Sequence, residues 1–242
     1  MGRAPLKRYL AEFLLIVAGV VTGLIAEGWV SGLRERSQAG EIQSRLVEDL
    51  RVDAREARLR VTFYRRVRAR AESVLEGLSS DGPVEDPAGF VMKAFDASRM
   101  YPLPVSRPTW DDLSATGRLD LLDPEARLIL GEYYRGLFSR DSYVNDFSDD
   151  YRKRVRSILP VPLQDFANRD CSWFAGLEGD VDVPCSFDLS AEDAEALASE
   201  LQSDVQLRLD LNWLLSQVTT AVQLFEIGAS DATDLVSRLE EH

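Results

Sequence analysis

Residues 9–32, with the sequence YLAEFLLIVAGVVTGLIAEGWVSG, form the segment that most constrains how this chain can fold. The only charged residues in it are Glu12 and Glu27. An α-helix needs about 20 predominantly apolar residues to cross the hydrocarbon core of a bilayer, and this segment is long enough. Tyr9 and Trp29 lie near its two ends, where aromatic side chains are enriched at the membrane–water interface. The sequence therefore predicts a transmembrane anchor over residues 9–32.

A cleaved signal peptide is the alternative interpretation of the same segment. Cleavage after Ala26 would place Leu24 at the −3 position, where signal-peptide cleavage sites carry a small residue. We therefore favour an uncleaved signal-anchor that follows a short basic tail over residues 1–8.

The orientation of the anchor depends on the charges at its two ends. Three basic residues precede it and three follow it, namely Arg3, Lys7, Arg8, Arg34, Arg36 and Arg45. The number of positive charges on each side therefore hardly distinguishes the two orientations of the anchor. Moving a basic tail with a free amine across the membrane is unfavourable, whereas a large following domain translocates largely regardless of its charge. We expect the N-terminus in the cytoplasm and residues 33–242 on the other side of the membrane.

Four residues of the anchor share one narrow face. Because successive residues of a helix advance by about 100°, Glu12, Gly19, Gly23 and Glu27 fall within roughly 80° of one another. Two glycines four residues apart allow helices in lipid to approach closely. The hypothesis is a membrane-helix interface on this face, with a second copy of the chain or with another membrane protein. The alternative is a plain anchor whose glutamates reach the headgroup region, and a proton or ion role is a third possibility.

The cysteines, Cys171 and Cys185, enclose the sequence CSWFAGLEGDVDVPC. A disulfide across a loop of this size contributes about 3 kcal/mol in the chain-entropy model. Such bonds persist in oxidising compartments, so a bonded pair agrees with a location outside the cytoplasm. Two unrelated buried thiols are the alternative. Within the loop, Trp173 and Phe174 form either an exposed docking patch or a plug at the end of the domain.

Composition excludes several classes of function. The net charge of −13 disfavours nucleic acid as a partner, because neutralising phosphates needs a basic surface. His242 is the single histidine and stands at the end of the chain, so the usual general base and zinc ligand are missing. We expect no enzyme activity, no cofactor and no metal.

The rest of the chain has the periodicity of helices. Apolar residues recur every three or four positions over residues 42–78, which predicts an amphipathic helix of about 35 residues that ends before Pro83. A second long helix is predicted from Asp123 as N-cap, with Pro124 at its first position, as far as Pro160.

Shorter segments complete the prediction. They are a short helix over residues 90–97, a second one from Thr109 as cap to Gly117, an irregular loop over residues 160–189, and a helical C-terminal part from Ser190 with breaks at residues 203–204 and near Gly228. No segment alternates convincingly as a strand does. The predicted fold class is all-α, with an N-terminal transmembrane helix followed by an antiparallel bundle of long helices over residues 33–242.

Two stretches resemble an uncharacterised bacterial family of single-pass membrane proteins. The opening LKRYLAEFLLIVAGVVTGLIAEGW is similar to that family's basic residue, Tyr-Leu pair, Glu, apolar span and Trp. The later TWDDLSATGRLDLLDPEARLILGEYY resembles its second conserved-looking stretch, which ends in paired tyrosines. Ala26, Glu27 and Gly28 stand where members carry polar amides. The resemblance implies a membrane anchor with a helical domain, and it implies no catalytic residues. Together with the basic tail and the cysteines, it leads us to expect an inner-membrane protein of a bacterium with the bulk of its chain in the periplasm.

Three hypotheses about function follow. The first is a non-enzymatic, membrane-anchored helical protein that self-associates or binds another membrane protein. The second is a sensory module, which requires a cavity between the bundle helices with a few inward polar groups. The third is a carboxylate-dependent hydrolase, which requires two close carboxylates in a cleft, one with a raised pKa.

Overall fold

The computed structural model describes residues 4–101, 106–147, 149–171, 185 and 187–241. Its description does not include the side chains of residues 4–14, 16, 24–26, 28, 31–33 and 35. The helices are α1 (Ala4–Leu78), α2 (Pro87–Ala97), α3 (Pro108–Thr116), a 3-10 turn (Arg118–Leu121), α4 (Pro124–Asn145), α5 (Asp150–Ile158), α6 (Val161–Arg169), α7 (Ala191–Ser203) and α8 (Val205–Glu240). Since these ranges contain no strand, the predicted all-α class is confirmed for the described chain.

Helix α1 contains two segments for which the sequence predicts separate structures. The predicted anchor over residues 9–32 and the predicted amphipathic helix after residue 40 belong to one unbroken helix of 75 residues. Its single proline, Pro5, lies in the first turn, so every later residue can donate its backbone N–H to the helix. At 1.5 Å per residue, α1 is about 110 Å long.

Helix α8 packs antiparallel to the second half of α1. Arg65 of α1 pairs with Glu226 of α8, and nearer the start of the bundle Arg51 pairs with Glu240. At the far end, the Gln202 amide of α7 donates to the carbonyl of Gly77 at 2.9 Å. As residue numbers rise along α1, the partner numbers fall, so the antiparallel packing of long helices is confirmed.

Three groups of buried side chains follow one another along α1. The first surrounds Leu46 and Leu50 with side chains of α3, α4 and α8. The second surrounds Tyr64, whose ring stacks at 6.0 Å on Phe225 of α8. The third surrounds Val74 at the end of α1 and includes side chains of α2, α5, α6, α7 and α8. The bundle is therefore stabilised by apolar packing along its whole length.

Several helix ends lie where the sequence places them. The Asp123 carboxylate accepts from the backbone N–H of Glu125 and Ala126 at the start of α4. The Ser190 hydroxyl accepts from a backbone N–H of α7, and Gly117 ends α3 with φ of 70°. The break between α7 and α8 at residues 203–204 is also observed. These predictions are confirmed because each depends on local hydrogen bonding.

Four predictions about helix boundaries are wrong. Thr109 does not cap α3 but lies inside it, and its backbone N–H donates to the Asp49 carboxylate of α1 at 3.1 Å. The helix predicted as far as Pro160 ends at Asn145, and α5 starts at Asp150. Residues 161–169 of the predicted loop are helical. α8 also runs through Gly228 without a break.

The physical reason for the second error is the packing of Phe147. This residue lies between α4 and α5 and is buried against the ring of Tyr64 at 6.1 Å. Its burial turns the chain so that α5 can pack on α2, α7 and α8, a contact that periodicity along one helix does not show.

Within the part of the chain that the structure describes, no helix is both long enough and apolar enough to cross a membrane. That part excludes many side chains of residues 9–32.

Candidate functional site

A cavity of about 250 Å³ lies between α1, α4 and α8. Its lining is mainly apolar, and it also contains four ionisable side chains. The lining residues are Val52, Asp53, Glu56, Ala57, Arg60, Ser106, Leu137, Arg140, Phe225 and Gly228. A largely apolar cavity with a few polar groups is the usual form of a small-molecule site.

Asp53 is the most perturbed acid of this cavity. Its side chain is buried against α4, and the Tyr133 hydroxyl donates to its Oδ2 at 3.3 Å. Burial, with smaller contributions from Asp49 and Glu56, raises the pKa of Asp53 to about 7, and the Tyr133 hydrogen bond and Arg60 act in the opposite direction. Asp53 therefore exchanges a proton near neutral pH, which an exposed aspartate does not do.

Arg60 is buried between two aromatic rings. Its guanidinium carbon lies 5.2 Å from the ring centre of Tyr101 and 5.3 Å from that of Phe225. One of its nitrogens is 3.4 Å from the Asp141 carboxylate. The Tyr101 hydroxyl donates to Glu56 at 3.0 Å. The rings and the carboxylates together hold the positively charged Arg60 guanidinium in this position.

Arg140 of α4 occupies space left by two glycines. A Cβ on Gly228 would lie 3.3 Å from its Nε, and a Cβ on Gly136 would lie 3.5 Å from one of its terminal nitrogens. The Arg140 guanidinium reaches Asp231 of α8 at 3.3 Å, and its buried Nε has no hydrogen-bond acceptor among the described residues. Gly228 therefore serves close packing between α4 and α8, which explains why it does not break the helix.

No family model, no curated protein and no solved structure matches this chain. The resemblance to a single-pass membrane family therefore stays a prediction, and the site is interpreted from its own geometry.

The predicted membrane-helix interface lies on the exposed first part of α1. No described atom lies within 4 Å of the positions where a Cβ on Gly19 or Gly23 would stand. The Glu27 side chain is exposed, and the side chain of Glu12 lies outside the described residues. The described part of the bundle does not reach the two glycines, which leaves room for another helix.

The predicted cysteine pair is close to the third core group. Cys171 and Cys185 form a disulfide, with their Cα atoms 5.5 Å apart. Cys171 is buried with side chains of α6, and Cys185 packs against the same group. Trp173 and Phe174 lie outside the described residues, so the docking prediction for them stays a prediction.

Sequence reasoning missed the cavity, although a signal for it exists. Asp53 lies three residues after Leu50 and four before Ala57, and Arg60 lies three after Ala57 and four before Tyr64. Both charged residues therefore occupy positions of the apolar stripe of α1. A charge on the buried face of a helix indicates a partner from another helix.

Among the described residues, no cluster of three or more His, Cys, Asp or Glu side chains could hold a metal ion. What the cavity offers chemically is a proton on Asp53, two fixed guanidinium groups and an apolar wall.

Proposed function

We propose that this protein is a membrane-anchored, non-enzymatic helical protein whose α1 associates with a second copy of itself. The observation that carries the proposal is a change of exposure along one continuous helix. Leu15 and Trp29 are 76% and 77% exposed, whereas Ile42 is 2% exposed. The same helix thus leaves Leu15 and Trp29 uncovered and buries later apolar side chains in the bundle.

A bilayer is the covering that suits this first part of α1. Val17, Val20, Val21 and Val30 are exposed there as well, and water-exposed apolar surface costs about 25 cal/mol per Å². The sequence supports the same interpretation, since residues 13–26 carry no charge. The domain over residues 33–242 would then stand outside the cytoplasm, where the Cys171–Cys185 bond persists.

Self-association is tested by adding a large side chain to the proposed interface. Replacing Gly23 by Leu fills space that a second helix needs, so chemical crosslinking in membranes should give markedly less dimer than the natural chain gives. The variant should stay in the membrane fraction. Val21→Leu is the matched control because Val21 lies on the opposite face of α1, and its dimer yield should not change.

Two results contradict the proposal. Equal dimer yields for Gly23→Leu and the natural chain would exclude this face as the interface. Crosslinks to a different protein would show that the partner of this face is that protein and not a second copy of the chain. A full-length chain that stays in solution without detergent or lipid would exclude the anchor.

The cavity favours a second candidate function, a sensory module. Asp53, Glu56 and Arg60 line the cavity from α1, the helix that also carries the proposed anchor. A small ligand in the cavity would therefore contact a continuous helix that extends into the membrane. Such a ligand can shift the packing of α1 only if it binds one arrangement of the helices better than another.

The sensory candidate is tested with a variant that fills the cavity. Screening small amphipathic fragments by thermal unfolding should reveal binders that raise the melting temperature of the natural protein. Ala57→Leu places three more carbon atoms at the cavity wall and should remove that effect. If no fragment stabilises the protein, or if the variant responds equally, the cavity is not a ligand site.

A hydrolase is the less favoured proposal. Asp53 and Glu56 line one cavity, and the pKa of Asp53 is raised, as such an enzyme would require. Burial is the main cause of that shift, however, and Asp53 is only 8% exposed. A structural acid in a helix interface has the same properties.

A further inference from the structure

A separate group of basic side chains lies at the end of the bundle farthest from the start of α1. Arg99, just after α2, and Arg156 of α5 both lie over the ring of Phe95, with guanidinium carbons 5.1 and 4.7 Å from its centre. Arg152 precedes Arg156 by four residues, so the two share a face of α5. Three positive charges thus converge in a chain whose net charge is −13.

Asp96 pairs with Arg99, whereas the other two charges have no carboxylate partner among the described residues. Arg99 pairs with Asp96 at 2.8 Å. Among the residues that the structure describes, no carboxylate lies within ion-pair distance of Arg152 or Arg156. Arg154 on the same helix differs, because it pairs with two aspartates. The local charge at Arg152 and Arg156 therefore favours an anion from outside the chain.

Arg156 is held in a fixed position. Its Nε donates to the Ser98 hydroxyl at 3.1 Å, and that hydroxyl donates to the carbonyl of Phe95 at 2.6 Å. Ser98 is buried, and the Phe95 ring supports the guanidinium plane. A guanidinium fixed in this way loses little side-chain entropy when it binds a ligand.

The surroundings of Arg156 oppose its positive charge. Burial, with smaller contributions from Arg152 and Arg99, lowers the pKa of Arg156 to about 10, and Asp149 acts in the opposite direction. The group stays protonated at neutral pH, yet its charge is unfavourable where it stands. A bound anion would relieve this cost, so binding and electrostatic stabilisation act together.

We propose that Arg152 and Arg156 form a binding site for a phosphate-type oxyanion, carried by inorganic phosphate or by a small soluble phosphorylated ligand. A guanidinium has five N–H donors. Since Nε of Arg156 donates to Ser98, its two terminal nitrogens supply the other four to the ligand. Guanidinium groups match the geometry of phosphate oxygens with paired hydrogen bonds. Two positive charges select a dianion over a singly charged carboxylate.

The position of the site favours a soluble source of phosphate over a lipid headgroup. Phe95 packs in the same core group as Ala71 of α1. Ala71 follows Gly32, the last residue of the proposed anchor, by about 60 Å along the helix. The site therefore stands well beyond the headgroups of a membrane that holds the anchor.

The test measures phosphate binding to the full-length protein in a neutral detergent. Phosphate should raise the melting temperature more than chloride or acetate does at the same ionic strength. Arg156→Gln should weaken phosphate binding about tenfold or more, because it removes charge-assisted hydrogen bonds. Arg152→Gln should weaken it less, and it removes no ion pair of the described chain.

Arg58→Gln is the matched control, because Arg58 is an exposed arginine of α1 outside the site. It removes the same charge and should leave phosphate binding unchanged. Equal stabilisation by phosphate and chloride overturns the proposal. So does phosphate binding that Arg152→Gln and Arg156→Gln both leave intact, or that Arg58→Gln weakens as much as they do.

A lipid arm separates the two sources of phosphate, and it alone depends on the proposed anchor. In nanodiscs of neutral lipid, adding phosphatidic acid should leave phosphate binding unchanged. If phosphatidic acid displaces phosphate from the natural protein, the headgroup is the ligand, and the assignment to a soluble ligand is overturned.

Discussion

Replacing Asp53 by Asn is expected to stabilise the protein at pH 8 and to change its stability little at pH 3. The reason is the burial that raises the pKa of Asp53 from 3.8 to about 7. Asn keeps an oxygen that can accept from the Tyr133 hydroxyl, but it carries no charge to bury. The expected gain at pH 8 is at most about 4 kcal/mol, since each pKa unit corresponds to about 1.4 kcal/mol.

The pH dependence of this effect has a defined sign. Below pH 3.8 the carboxyl is protonated in the folded and the unfolded chain, so burying it costs no charge. Between pH 3.8 and about 7 the unfolded chain releases the proton while the folded chain keeps it, and the free energy of unfolding falls as the pH rises. Above about pH 7 the loss is complete, and the Asn variant avoids it.

Denaturant titrations in detergent across this pH range measure the difference between the variant and the natural chain. Asp112→Asn is a suitable control because Asp112 is an exposed acid of α3. It should show no comparable rise in relative stability with pH. A constant difference between Asp53→Asn and the natural protein from pH 3 to pH 8 contradicts the burial of an ionising Asp53.

Reducing the Cys171–Cys185 bond is expected to lower the free energy of unfolding by about 3 kcal/mol, the chain-entropy value for a loop of this size. The bond restricts the unfolded chain, and in the folded chain Cys171 lies in the core group of α2, α5 and α6. Unfolding measured with and without reductant gives this difference. The measured difference also informs the cellular location of the protein, because a chain whose stability depends on the disulfide needs an oxidising compartment.

The double variant Cys171→Ser with Cys185→Ser is the control for this measurement. It should be less stable than the oxidised protein and indifferent to reductant. An equal response of the natural protein and of the variant to reductant would show that the disulfide is not the source of the effect.

The sequence correctly predicted several features that depend on neighbours along the chain. Asp123 caps α4, and Gly117 ends α3 in a left-handed conformation, because both depend on hydrogen bonds within one turn. The apolar stripe over residues 42–78 also identified the face of α1 that packs in the bundle. Apolar residues at intervals of three and four positions define one face of a helix, whichever element packs against that face.

Patterns along single helices did not predict the candidate cavity. Asp53, Tyr133 and Arg140 come from two helices that are about 80 residues apart in the chain. Gly228 resembled a helix break, and only the nearby Arg140 side chain shows why it is a glycine. The end of α4 at Asn145 likewise depends on the burial of Phe147 against α1.

The amino-acid sequence by itself determined that this chain is helical and which face of each long helix is apolar. Those properties arise from intervals between residues and from local capping. The tertiary structure alone decided that α1 is a single helix from Ala4 to Leu78 and that a cavity with charged side chains lies beside it. It also decided that Arg152 and Arg156 lie together without a carboxylate partner among the described residues. Such features depend on which side chains of other helices lie close in space. The spacing of residues along one helix does not determine those contacts.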